Sequence, residues 1–215
     1  MRSSKAQGFT LWFTGLPCSG KTTISNIVEK ELRKRGLSVE SLDGDEVRQH
    51  LSSDLGFSKE DRDKHIQRIG FIAKLLSRNG VATLASFVSP YKAIRDHVRS
   101  EIENFVEIYV KCPVEVCIQR DVKGMYKKAL AGEIKNFTGI SDPYEEPLNP
   151  ELILDADKET PEESAWKVIQ KIENLGYIPI TPLVPPSNGR IEETVVYTDE
   201  EEEKVKKRLK ALGYI

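Results

Sequence analysis

Short runs of apolar and β-branched residues alternate along this chain with longer stretches whose apolar residues recur every three to four positions. Phe9 to Thr14 (FTLWFT) stops at Gly15 and predicts a strand buried on both faces. From about Lys21, Ile24, Ile27, Val28 and Leu32 share one helical face, and Gly36 supplies the stop. The pattern then predicts a strand over 38–42, a helix within 59–78, a strand over 81–87, a helix over 93–103 and a strand over 106–111. Strand and helix in strict turn imply a doubly wound parallel sheet with crossover helices on both faces, so the fold class is α/β.

After a short helix beginning at Pro113 the periodicity fails. Gly124, Gly132, Gly139, Pro143, Pro147 and Pro150 punctuate residues 122–150. A stretch of roughly 30 such residues inside a compact domain reads as a working lid or binding loop. Between 119 and 140, Arg120, Lys123, Lys127, Lys128 and Lys135 face only Asp121 and Glu133, a balance suited to closing over phosphates, with a solvated basic loop as the alternative. A last strand is expected over 151–154. Thr160-Pro161-Glu162-Glu163 is a capping box with proline at the first helical position, opening a helix to Gly176. Residues 1–177 therefore read as the principal domain, with its lid at about 120–145. Beyond them lie a connector with Pro179, Pro182, Pro185 and Pro186, a small strand over 194–197 and a helix after Thr198.

Composition narrows the function classes. The 215 residues carry 32 Lys and Arg against 34 Asp and Glu, a formal net charge of −2 that argues against a general nucleic-acid binder. No apolar run reaches the roughly 18 residues a membrane span needs, and the first ten residues lack a signal core, so a cytoplasmic protein is the expectation. Cys18, Cys112 and Cys117 have neither the number nor the spacing of a disulfide framework or a zinc site.

Gly15-Leu16-Pro17-Cys18-Ser19-Gly20-Lys21-Thr22 satisfies G-x-x-x-x-G-K-[ST] between a predicted strand and a predicted helix. Such a loop points several backbone N–H groups into one hollow at a helix N-terminus. Lys21 reaches the β- and γ-phosphates, and the Thr22 hydroxyl can hold Mg²⁺. The strand over 106–110 ends in Lys111-Cys112-Pro113 rather than in an aspartate, and N-K-x-D is absent. Both favour a small-molecule kinase over a switch or motor nucleotidase.

The acceptor side follows from strand ends. Asp43-Gly44-Asp45, with Arg48 three residues on, sets two carboxylates and a cation where parallel sheets present ligands, although a turn with an N-cap would use the same residues. Arg62 and His65 lie three apart on one predicted helical face. Ser89 precedes Pro90 at the end of the third strand, and Phe137 is an aromatic in a polar setting, placed for stacking on a base or for packing a hinge.

These segments together resemble adenylylsulfate kinase, also called APS kinase. The resemblance rests on GLPCSGKTT at 15–23, LDGDEVR at 42–48, DLGFSKEDR at 54–62, FVSPYKAIR at 87–95 and EVCIQRDVKGMYKKALAGEIKNFTGISDPYE at 115–145, and covers about residues 5–175. It implies transfer of the γ-phosphoryl group of MgATP to the 3′-hydroxyl of adenosine 5′-phosphosulfate, by direct in-line displacement. By position it implies ATP contacts from Gly15 through Thr22 and from Thr23, with Arg120 flanking the ATP adenine. Asp45 would activate or orient the hydroxyl, and Asp43 would sit by the Mg²⁺ water shell. Arg48 and Arg62 would hold the phosphosulfate, Phe57 and Phe137 the acceptor adenine, Val88 and Ser89 would line that site, and Lys123 would come from the lid. Ser89 occupies the family's phosphoserine position. A homodimer and a functional link to ATP sulfurylase are also implied. Where the family has D-R-x-x-N, this chain has Asp61-Arg62-Asp63-Lys64-His65, so an amide contact becomes an imidazole whose charge is expected to vary near neutral pH. Two other readings stay open on the residues: a non-catalytic nucleotide-binding module, and a kinase for a different small acceptor.

Overall fold

The computed structural model describes residues 8–180, apart from the Asp45 side chain. The strand expected over 194–197 and the helix expected after Thr198 lie outside the described residues. Five strands, β1 (Phe9–Thr14), β2 (Val39–Asp43), β3 (Ala82–Ser86), β4 (Phe105–Lys111) and β5 (Leu152–Asp155), form one sheet in the order β2-β3-β1-β4-β5. Every pairing is parallel.

The helices are α1 (Lys21–Lys34), α2 (Gly44–Leu51), α3 (Lys59–Arg78), α4 (Lys92–Glu101), α5 (Val114–Arg120), α6 (Met125–Leu130) and α7 (Pro161–Asn174). Strand residues alternate between two cores because successive side chains leave a strand on opposite faces. Leu11, Phe13, Ala82 and Leu84 pack with Ile24, Val28 and Leu32 of α1 and Val168, Ile169 and Ile172 of α7. Trp12, Ala85 and Phe87 pack with Ile66, Ile69 and Ala73 of α3 and Ile94 and Val98 of α4. The expected α/β sandwich is thus the observed one, with β1 buried on both sides.

Local signals explain the element ends. Thr160 and Glu163 exchange both capping-box hydrogen bonds at the start of α7, and Ser58 Oγ accepts from the Asp61 N–H at the start of α3. Two helices fall where no periodicity predicts them. α2 follows β2 with no intervening loop, and α6 spans six residues inside the lid between Gly124 and the turn at Gly132.

Candidate active site

The loop between β1 and α1 closes on itself. At Gly15 φ is +151°, and a Cβ there would lie 2.5 Å from the Val110 carbonyl oxygen, so only glycine lets the loop leave β1 beside β4. Gly20 is the N-cap of α1 and offers no side-chain cap, and the first turn holds no acidic residue. Its first N–H groups and positive dipole end are therefore left for an anion. Lys21 is folded back on the loop, its Nζ donating to the Gly15 carbonyl at 3.1 Å, the Leu16 carbonyl at 2.7 Å and Ser19 Oγ at 3.4 Å. Burial pulls its ammonium down to about 8, against the opposing pull of the nearby thiols and Asp43.

Beside the cradle, Thr22 Oγ1 donates to Asp43 Oδ2 at 3.0 Å, joining the first turn of α1 to the last residue of β2. Asp45 is the second residue of α2; its side chain lies outside what the structure describes. Arg120 closes the far side, donating to the Ser19 carbonyl at 3.3 Å and the Ala156 carbonyl at 2.7 Å. Tyr126 of the lid helix α6 donates from its hydroxyl to the Pro17 carbonyl at 3.1 Å, which ties α6 to the phosphate loop.

The second end of the cavity is cationic and aromatic. Arg48 donates to the carbonyls of Leu55 and Gly56, and its guanidinium lies 4.2 Å from the centre of the Phe57 ring. Phe57 is 58% exposed on the rim. Phe137 is buried, edge-on to Tyr126 at 4.9 Å. Arg62 donates to the Phe57 carbonyl at 3.1 Å, to Thr138 Oγ1 at 3.1 Å and to the Asn136 carbonyl at 2.5 Å, so it spans from α3 to the lid.

His65 does not behave as the isolated motif suggests. It is buried, with Nδ1 2.8 Å from Ser52 Oγ and its ring edge-on to Phe87. Desolvation, then the charges of Arg48 and Arg68, push its pKa from the ordinary 6.5 to about 4. The imidazole is neutral at neutral pH, which corrects the expectation of a variable charge. The unfolded chain takes up this proton below about 6.5 and the folded chain only below about 4. The neutral site therefore contributes fully above 6.5, and roughly 1–3 kcal/mol is lost as pH falls toward 4. His65→Asn is expected to flatten the fall in melting temperature between pH 6.5 and 4; an unchanged profile would remove His65 as its cause.

Ser89 is buried with φ +38°. Its hydroxyl sits in a directional chain: Trp12 Nε1 donates to Ser89 Oγ at 3.1 Å, Ser89 Oγ to Thr14 Oγ1 at 3.0 Å, and Thr14 Oγ1 to the Val88 carbonyl at 2.8 Å. With its own hydrogen so used, Thr14 accepts from Tyr144 OH at 2.9 Å. The Ser89 proton is thus committed to a protein acceptor.

One cavity of about 1050 Å³ joins these parts. Its wall includes Lys21, Thr22, Thr23, Asp43, Arg48, Phe57, Arg62, His65, Val88, Ser89, Arg120, Lys123 and Phe137, residues from widely separated parts of the chain. Cys18, Ser89 and Asn136, non-glycine residues with φ of +60°, +38° and +56°, all line it. Backbone strain of this kind collects at working sites, where surrounding structure over-determines it. Sequence reasoning missed Ser86, which lines the same wall, and Arg95, which donates to the Ser89 carbonyl at 2.6 Å from the adjacent α4. The FVSPYKAIR stretch contains Arg95, but nothing in its spacing reveals burial.

Residues 7–155 match the profile of the family described as adenylylsulphate kinase. The chain is 63% identical to the probable adenylyl-sulfate kinase of Pseudomonas aeruginosa, over 76% of this chain and 77% of that protein. It is 60% identical to the adenylyl-sulfate kinase of Rippkaea orientalis, over 81% and 96% of the two chains. Among solved structures, the Mycobacterium tuberculosis APS kinase in complex with AMPPNP and APS superposes with a TM-score of 0.75 at 41% identity, covering 78% of this chain and 98% of that one.

Proposed function

Starting from the premise that this chain belongs to the adenylylsulphate kinase family, we propose how its cavity divides the work of the reaction. The enzyme transfers the γ-phosphoryl group of ATP to the 3′-hydroxyl of adenosine 5′-phosphosulfate, yielding 3′-phosphoadenosine 5′-phosphosulfate and ADP. The observation that carries the assignment of roles is the single cavity walled at one end by the phosphate loop and at the other by Arg48, Phe57, Arg62 and Phe137.

At the donor end, Gly15 to Thr23 cradle the triphosphate through backbone N–H groups, and Arg120 borders the ATP base. Lys21 leaves its loop carbonyls for the β- and γ-phosphates and balances charge on the equatorial oxygens of the migrating group. At the acceptor end, Arg48 and Arg62 hold the phosphosulfate, and Phe57 and Phe137 take the two faces of the adenine. His65 offers a neutral imidazole beside them, Val88 lines the pocket and Lys123 comes from the lid. Asp45 orients the 3′-hydroxyl and receives its proton as the oxygen attacks. We assign Ser89 to holding the strained loop rather than to a phosphoserine intermediate, because its hydroxyl proton is already given to Thr14.

The oxygen donors beside the cradle fit Mg²⁺. Thr22 hydroxyl and Asp43 carboxylate are hard oxygen ligands 3.0 Å apart, and Mg²⁺ is commonly held by one or two protein oxygens together with waters and substrate phosphates. When bound, the ion would supply positive charge that offsets the charge of the triphosphate. The kinase domain at 1–177, the appendage at 178–215, the homodimer, the ATP sulfurylase link and cytoplasmic residence are carried on the sequence pattern and the family resemblance alone.

A coupled assay that follows ADP with ATP plus adenosine 5′-phosphosulfate, AMP or gluconate tests the reading. Turnover is expected with the first acceptor only. No ADP with adenosine 5′-phosphosulfate rejects the proposed division of roles, and faster turnover with gluconate identifies a different kinase.

A further inference from the structure

We propose that Ser86, at the carboxyl end of β3, is a third protein oxygen of the metal–triphosphate shell, beside Thr22 and Asp43. The inference rests on the kinase reading above and extends it to a residue that no motif marks.

Three placements converge on this serine. Alternation along β3 sends Ala82 and Leu84 into the core shared with α1, whereas Ala85 packs toward α3 and α4. Ser86 therefore leaves the sheet on the α1 side. In register, Ser86 pairs with Asp43 on β2 and with Phe13 on β1, and paired residues share a face. The β2 neighbours confirm that face: Ser41 Oγ donates to Glu29 of α1, and Asp43 accepts from Thr22 of α1. The Ser86 hydroxyl thus stands at the strand end next to Asp43, on the side where the phosphate loop enters α1.

The second observation is chemical. Ser86 is only 7% exposed, and its Oγ is buried without a hydrogen-bond partner. Thr10 Oγ1, Asp63 Oδ1 and Thr83 Oγ1 share that condition among the described residues, but of the four residues only Ser86 lines the large cavity. A buried hydroxyl left unpaired is costly, and most buried polar groups in folded proteins are satisfied. A group that arrives with the substrate resolves the deficit: the hydroxyl can accept from a water of the ion's shell. Hydroxyl, hydroxyl and carboxylate make a hard-oxygen set suited to Mg²⁺ and its waters.

The test measures nucleotide binding by calorimetry in wild type and Ser86→Ala, with Mg²⁺ and with EDTA, together with the melting temperature of the ligand-free proteins. The expected result is about tenfold weaker ATP binding with Mg²⁺, the size of one lost hydrogen bond, and no change in EDTA. The ligand-free melting temperature should hold or rise, because an unpaired hydroxyl has been removed. Equal weakening in both buffers, or none in either, overturns the assignment, as does a lowered ligand-free melting temperature. Should Ser86→Ala fail to fold, Ser86→Cys, which keeps the volume and replaces the oxygen, is read the same way. Wild-type protein that gains no affinity from Mg²⁺ would reject the kinase reading itself, whereas a wild-type gain fully retained in Ser86→Ala rejects Ser86 alone.

Discussion

Lys21→Ala should lower phosphoryl transfer by at least about 10³-fold while leaving the protein folded. Losing one preorganised donor to transition-state charge costs on the order of 10²–10³ in rate, and a full ammonium facing three developing negative oxygens stands at the upper end. The fold should tolerate the change because the hydrogen-bond partners of Lys21 are carbonyls and a hydroxyl of its own loop. A pH profile separates this role from mere packing. In the free enzyme the ammonium is held down to about 8 by burial, so kcat/KM for ATP should fall as pH rises through about 8. Bound phosphates raise the same group, so kcat should hold to higher pH. Substantial activity in Lys21→Ala, or a kcat/KM that is flat from pH 7 to 9, would contradict the assignment.

The ligand-free position of Lys21 illustrates which features sequence can and cannot carry. The cradle motif, strand β1, and helices α1 and α3 are read directly because each has a periodic face or a motif, and α7 because Thr160 signals its cap. α2 and α6 are too short, at eight and six residues, to repeat an apolar face, and each begins at or beside glycine. The neutrality of His65 is legible only once α3 is packed, since Ser52, Phe87 and the two arginines that set it come from different parts of the chain. Ser86 depends on sheet register, and Ser89 on a hydrogen-bond chain that crosses from β1 to Tyr144 near the end of the lid. Local pattern specifies elements; the chemistry of a buried polar group is set by neighbours distant in sequence.

Arg95 shows the largest such effect, and Arg95→Met is expected to destabilise the protein by about 3 kcal/mol or more. The guanidinium is 1% exposed and distributes its donors over three elements: Nε to Glu107 Oε1 at 2.9 Å, Nη1 to the Ser89 carbonyl and Nη2 to the Glu145 carbonyl, both at 2.6 Å. Its cation also faces the Tyr144 ring at 5.6 Å. The strained Ser89 turn, the strand β4 and the segment that returns from the lid are therefore held by one side chain. Glu107, itself buried, keeps Arg99 as a second partner at 2.9 Å, and Arg99 continues to Glu151 at 2.9 Å. Methionine fills the volume but leaves the buried Ser89 carbonyl and the part-buried Glu145 carbonyl without these donors, and a carboxylate with half its compensation. Breaking one partner of a buried pair strands a charge, which is why the loss is several-fold larger than for an exposed ion pair. Arg95→Lys restores charge without the planar fork and should recover only part of the stability. Adding Glu107→Gln to Arg95→Met removes the stranded charge, so the double variant should be more stable than Arg95→Met alone. Urea unfolding of the three variants reads this directly. If the double variant is the less stable of the two, the cost lies in packing and not in the uncompensated carboxylate.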